Sequence, residues 1–208
     1  CDWSSDVYSS DLNGHIVSVT DQNGSRYLEN TYDEKGRITG QRFASGVYQT
    51  FVYDDLHRRN TIYYSETGKT ECYEYNDQLL PERILYEDGT CKVSEYSGDN
   101  RKIKEINRFG QATLWAYDEF GRTVREQAPD GYEVCREYDG HHDLIRTWDS
   151  DGRETQNGYD RNHNLISMRE KIGDGRWRES SREYDFMGRC IADRDALGNT
   201  TLREYDPD

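Results

Sequence analysis

The sequence predicts an all-β fold: tandem hairpin repeats of about 21 residues forming one long antiparallel, coiled or spiralling sheet. Two phased marks predict it. Tyrosines recur at Tyr32, Tyr53, Tyr75, Tyr96, Tyr117, Tyr138, Tyr159, Tyr184 and Tyr205, with steps of 21, 22, 21, 21, 21, 21, 25 and 21 residues. Glycines recur at Gly46, Gly68, Gly89, Gly110, Gly131, Gly152, Gly175 and Gly198, mostly seven residues before the next tyrosine. A fixed period of this length means one small supersecondary unit copied along the chain, stable only when stacked on its neighbours. The whole of 1–208 therefore reads as a single array of about nine repeats.

Composition taken alone points elsewhere. Leu, Ile, Val and Phe make up about 16% of the 208 residues and the formal net charge is −14, a combination typical of disordered chains. The repeat overrides that rule. Seventeen tyrosines and four tryptophans replace the missing aliphatic surface, since each aromatic buries roughly 150–250 Å² while its polar edge stays bonded or wet.

The first punctuation follows the tyrosine. Next to it stands an acidic or turn-forming residue, Asp33, Asp54, Asn76, Ser97, Asp118, Asp139, Asp160, Asp185 or Asp206. Four residues after it stands Gly36, His57, Leu79, Asn100, Gly121, His142, His163 or Gly188. Gly takes positive φ freely, and Asn and His are the side chains enriched there, so this slot reads as a left-handed turn position. Leu79 is the exception, followed by Leu80-Pro81, and predicts a turn of different shape.

The second glycine is preceded by aspartate in Asp88-Gly89, Asp130-Gly131, Asp151-Gly152 and Asp174-Gly175, and Asn23-Gly24 opens the series. Asp-Gly and Asn-Gly favour two-residue hairpin turns with both central residues at positive φ. Between the two marks lie stretches of roughly seven residues, about 23 Å if extended. Val47 to Tyr53 and Gln111 to Tyr117 carry the aromatic and branched residues that a pleated surface accepts. Connections this short make consecutive strands antiparallel, for a meander of about sixteen to eighteen strands.

Departures from the period locate particular elements. Tyr8, Gly14 and Gly24 read as one earlier unit whose first turn is two residues longer. The 22-residue unit has one extra residue before Gly68, which predicts a bulge or a longer turn near Ser65 to Thr67. In the 25-residue unit each arm has grown by two, which lengthens the hairpin without turning its buried face outward and puts a protruding tip near Gly173-Asp174-Gly175. An open twisted sheet rarely exceeds about ten strands, so this one is expected to coil, wrap or close. Tyr117 shares a face with Trp115 and Thr113 while Leu114 and Ala112 take the other, and the pattern leaves open which face is inside.

Three copies of one motif, Tyr32-Asp33-Glu34-Lys35-Gly36-Arg37, Tyr117-Asp118-Glu119-Phe120-Gly121-Arg122 and Tyr184-Asp185-Phe186-Met187-Gly188-Arg189, resemble the YDxxGR signature of Rhs/YD-repeat proteins. The resemblance extends over nearly the whole chain. It implies a hairpin array winding into a hollow cocoon, as in bacterial polymorphic and insecticidal toxins, that encloses a C-terminal toxic segment. The chain departs from that family in having neither the core-closing segment with aspartate-based self-cleavage nor a following toxin domain. It begins and ends inside repeats, which predicts an excerpt of a longer, secreted or surface-borne bacterial protein. Cys1-Asp2 also fits a processed lipoprotein terminus, with a boundary inside the array the preferred reading.

No acid–base pair or nucleophile stands out from the repeat background, so the expectation is a noncatalytic module without cofactor or metal. His57, His142 and His163 fall in the glycine-like slot, with His141 beside one. The five cysteines, Cys1, Cys72, Cys91, Cys135 and Cys190, form no CxxC pair. Cys72 and Cys135 read as small buried hydrophobes, and Cys72 and Cys91 lie in neighbouring units. The calcium β-roll nonapeptide is absent. The negative charge disfavours nucleic acid and anionic membrane, no stretch is apolar enough to span a bilayer, and no signal peptide is present. The expected partners are the rest of the parent chain with an enclosed toxin segment, and edge-to-edge self-association through an unpaired strand. The alternative class is a carbohydrate-binding surface module that uses rows of Tyr and Trp, including Trp115 and Trp148.

Overall fold

Among the described residues eight of the nine phased tyrosines lie on strands joined by short turns, and Tyr205 follows the last strand. The computed structural model describes residues 7–173 and 175–206. Cys1, Asp174, Pro207 and Asp208 lie outside them, and so do the expectations attached to Cys1 and to the centre of the 173–175 tip. Nineteen strands and no helix are present among the described residues, one strand more than the upper expectation.

The chain divides into two compact units, Cys1–Gln111 and Ala112–Asp208. In the first, the strands are β1 (Val7–Ser10), β2 (Ile16–Thr20), β3 (Arg26–Tyr32), β4 (Ile38–Phe43), β5 (Tyr48–Asp54), β6 (Arg59–Tyr64), β7 (Lys69–Tyr75), β8 (Pro81–Tyr86), β9 (Cys91–Tyr96) and β10 (Lys102–Ile106). Each pairs antiparallel with the next. The second unit holds β11 (Ala112–Tyr117), β12 (Thr123–Gln127), β13 (Glu133–Tyr138), β14 (Leu144–Asp149), β15 (Glu154–Tyr159), β16 (Leu165–Lys171), β17 (Trp177–Tyr184), β18 (Cys190–Arg194) and β19 (Thr200–Leu202), in the same meander.

The turns differ from the Asp-Gly expectation in a uniform way. Asp88, Asp130 and Asp151 do not have positive φ; only the glycine after each does. In the turn after β8, the N–H of Gly89 donates to the carbonyl of Tyr86 (3.0 Å), and the N–H of Tyr86 donates to the carbonyl of Thr90 (3.0 Å). This is a type I turn followed by one left-handed residue, the three-residue hairpin loop with a glycine bulge. The turns after the tyrosines have the same pattern, as at Asp33, Gly36 and Arg37. Most turns at both ends of the hairpins are therefore closed by one device with a single positive-φ residue, and the turns at 55–58, 65–68 and the 173–175 tip depart from it.

That device corrects three expectations. Leu79 adopts φ 60, and its turn carries the same bonds, Leu79 N–H to Asn76 carbonyl and Asn76 N–H to Leu80 carbonyl; the turn geometry overrides the side-chain preference. The true departure is one repeat earlier, where β5 and β6 stay in register to Asp54 opposite Arg59 and the left-handed residue is Arg58 (φ 51), not His57. At the start of the chain, Ser10 sits opposite Ile16 across a bulge as Tyr32 sits opposite Ile38, so Ser10 holds the tyrosine place and Asp11 opens an ordinary turn. The turn is of ordinary length, and Tyr8 lies two residues before the tyrosine place.

The other departures follow the pattern. Tyr64 pairs with Lys69 without a register shift, so the extra residue of the 22-residue unit lengthens the 65–68 turn and makes no bulge. Strands β16 and β17 are seven and eight residues long and stay paired to Lys171 opposite Trp177.

No layered core forms. Val19, 4% exposed, is the one buried hydrophobic residue among those described. Along β5, Gln49, Phe51 and Tyr53 are half-buried while Tyr48, Thr50 and Val52 are exposed, and along β11 Trp115 and Tyr117 are covered more than Leu114. The tyrosine face is thus the better covered one in these strands. Cys72 and Cys135 are half-buried on the opposite face, not buried as expected. Cys72 and Cys91 both pair with Leu85 from either side, which places them two strand spacings, about 9.6 Å, apart. A disulfide needs Cα atoms within about 7 Å, and both thiols are free.

Candidate functional site: the repeated turn and its tyrosine column

The YDxxGR residues converge into one bonded unit. Asp33 ends β3's run and opens the turn, and its Oδ1 accepts the backbone N–H of Lys35 and of Arg37, both at 2.9 Å. Its Oδ2 accepts Nε of Arg37 at 2.8 Å, and Gly36 supplies the left-handed residue (φ 76) between them. Asp118 does the same with Phe120 and Arg122, and Asp185 with Met187 and Arg189. A carboxylate that satisfies two turn N–H groups and a guanidinium competes with water at little entropic cost, because all three donors lie within four residues. The backbone N–H of Arg37, helped by its side chain, holds the Asp33 carboxyl below the ordinary aspartate value; Arg189 does so for Asp185.

The fixed arginine then reaches the next repeat. The Arg37 guanidinium lies 4.1 Å from the ring centroid of Tyr53, Arg122 lies 4.5 Å from Tyr138, and Arg189 lies 4.7 Å from Tyr205. Each covered tyrosine donates its hydroxyl to the carbonyl just after the arginine: Tyr53 to Ile38 (2.7 Å), Tyr138 to Thr123 (3.4 Å) and Tyr205 to Cys190 (2.8 Å). Tyr32 donates to Ile16, Tyr96 to Pro81, Tyr159 to Leu144 and Tyr184 to Leu165 in the same relation. Tyr75 instead accepts from Asn60 Nδ2 at 3.2 Å, beside the divergent 55–58 turn. Tyr117 closes β11 at the position the repeat assigns it. Seven of the nine phased tyrosines therefore make the same hydroxyl-to-carbonyl bond.

Substitutions in the motif show what each place requires. Asn76 Oδ1 accepts Gln78 and Leu80 N–H, as an aspartate would. Asp139 accepts the N–H of His141 and of Asp143, and Asp160 those of Asn162 and Asn164. Asp54 belongs to the divergent turn and binds His57 through both its N–H and Nδ1. Asp206 offers its carbonyl to Arg189 at 3.3 Å. At His15 an imidazole replaces the arginine, bonded to Asp11 (3.0 Å) and stacked on Tyr32 at 4.8 Å.

Where Asp143 replaces the arginine, the polarity is inverted. His163 of the next turn, at φ 65, donates from Nδ1 to Asp143 Oδ2 at 2.7 Å, and that bond raises the imidazole's pKa. His141 meets His163 edge to face at 5.6 Å, and Arg122 donates to His142 Nδ1 at 2.9 Å. Sequence reasoning assigned His142 and His163 to left-handed turn positions, which they hold, and missed that both are also contacts between successive turns. The signal was their 21-residue spacing. Trp115 and Trp148 are half-buried, with Arg146 over the Trp148 ring at 4.7 Å. Among the described residues no group of three or more His, Cys, Asp or Glu side chains is arranged to hold a metal.

Solved structures carry the same architecture. The chain is similar to TcdB2-TccC3-TEV (TM-score 0.54, 14% identity), to TcdB2-TccC3 without its hypervariable C-terminal region (0.54, 15%) and to TcdB2-TccC3 (0.53, 16%). The fold is shared with them. The aligned region covers 92% of this chain and only 12–13% of theirs, so the chain spans about an eighth of their length. No protein-family model and no curated sequence matches this chain.

Proposed function

We propose that this chain is a noncatalytic structural module, a stretch of an Rhs/YD-type wall in a secreted or surface-borne bacterial protein, that encloses or presents another polypeptide segment of its parent. The observation that carries the reading is the link from Arg37 to Tyr53 and its counterparts: the motif's polar groups are used to close a turn and to cover the next repeat's ring. These residues thus have a structural use in closing turns and joining repeats, which supports a structural reading of the motif. The fold likeness to TcdB2-TccC3, one structure of which lacks a hypervariable C-terminal region, supports a wall followed by a variable segment. Its mechanism is exclusion: a continuous ladder with closed turns keeps proteases and solvent from what lies behind it. Limited proteolysis of the parent protein with and without residues 1–208 tests this. Protection of the following segment is expected only when the array is present, and equal protection in both would refute enclosure.

A further inference from the structure

The lengthened hairpin carries β17 past the end of the strand that follows it. Strand β18 pairs with β17 only as far as Ser181 opposite Arg194, whereas β17 continues back to Trp177. Trp177, Arg178, Glu179 and Ser180 are thus paired to β16 on one side and to no strand on the other. The open edge is about 13 Å long at ~3.3 Å per residue. Beneath it lies the turn that joins β18 to β19, and between the two is a cavity of about 310 Å³ lined by Glu179, Ser180, Ser181, Arg194, Asp195 and Gly198.

The charges around this step are uneven. The Asp195 carboxylate is consumed by its own turn, accepting the N–H groups of Leu197 and Asn199 and the Asn199 amide. Glu179 faces Arg169 at 3.9 Å. Arg176 and Arg194 are exposed and form no ion pair with a described residue, whereas the Lys171 charge acts on the Glu154 carboxylate. Arg176 stands beside the tip and Arg194 lines the cavity, so a cation with no partner among the described carboxylates lies at each end of the open edge. Insertions in repeat proteins collect on binding faces, and a short unpaired edge accepts an added strand through main-chain bonds.

We propose that β17 from Trp177 to Ser180 is a docking edge that takes an extended acidic polypeptide segment as an additional strand, its carboxylates meeting Arg194 in the cavity and Arg176 at the tip. The test is a titration of the isotope-labelled 208-residue chain, followed by amide and Trp177 indole resonances, with a ten-residue peptide alternating Val/Thr with Glu. A Lys-for-Glu version and a proline-interrupted version serve as controls. The acidic peptide is expected to shift Trp177 to Ser180 selectively and to bind at least ten-fold more tightly than either control. Removing Lys171, Ile172, Arg176 and Trp177 restores a 21-residue unit and should abolish binding; if that variant does not fold, the surface double substitution R176E/R194E should weaken binding at least ten-fold. Shifts that avoid this edge, equal binding of the lysine peptide, or full binding by whichever variant folds would overturn the proposal.

Discussion

Arg37 lies over the ring of Tyr53, sixteen positions later on β5, at 4.1 Å, and the same arginine is held in place by Asp33 of its own turn. The contact joins two repeats through a residue fixed by its own turn, so each turn's order is transmitted to its neighbour. Repeat proteins depend on such nearest-neighbour terms, because no unit buries enough surface alone.

Replacing Tyr53 by Phe removes the 2.7 Å bond to the Ile38 carbonyl and should cost about 1 kcal/mol in chemical denaturation. Arg37→Ala combined with Tyr53→Leu should destabilise by less than the two single changes added together, since each single change already breaks the shared contact. Strict additivity in this cycle would show that the ring and the guanidinium do not interact.

Leu79 is exposed and sits at φ 60, a conformation costing an ordinary L-residue roughly 1–2 kcal/mol. Leu79→Asn should therefore raise the stability of the chain by about 1 kcal/mol, because asparagine tolerates that region. A lower denaturation midpoint for the variant would mean that the leucine makes a contact worth more than the strain.

Gly131 lies at φ 87, and a Cβ added there would have nothing within 4 Å. Gly131→Ala should lose roughly 1–2 kcal/mol from backbone conformation alone, and Gly131→Asn distinctly less. Thermal melts of the two variants separate this from packing, which predicts the larger asparagine to be worse.

The bond from His163 to Asp143, aided by the nearby Asp139 and Asp160 carboxylates, raises the imidazole's pKa, while His141 packs against it edge to face. A raised folded-state value means that this pair's contribution is complete below the unfolded pKa of about 6.5 and disappears as pH rises through the higher folded value. His163→Gln should thus lower the melting temperature at pH 6 more than at pH 8.5. NMR titration of His163 should show a midpoint above 6.5 that falls in Asp143→Asn; an unshifted midpoint would remove the inter-turn ion pair.

Much of this fold was legible because its determinants are local. A turn that needs one left-handed residue selects Gly, Asn or His at a fixed offset, and Gly36, Asn100, His142 and His163 stand where that offset puts them. The two-plus-two growth of β16 and β17 was legible for the same reason, since strand faces alternate with period two. Leu79 and Arg58 were not: once the flanking strands are paired, the ladder imposes the turn geometry on whatever residue falls there, and side-chain preference is too weak to refuse it.

The amino-acid sequence by itself determined the repeat length, the antiparallel order of the strands and the spacing of the nine phased tyrosines, because spacing and turn chemistry act over a few residues. Only the tertiary structure decided that most turns are three-residue loops with one left-handed residue, that the tyrosine face is the better covered one in β5 and β11, and that Arg37, Arg122 and Arg189 each cover the tyrosine of the following repeat. Those contacts join residues sixteen apart across neighbouring strands, and the register that brings them together is a property of the assembled ladder, not of either segment.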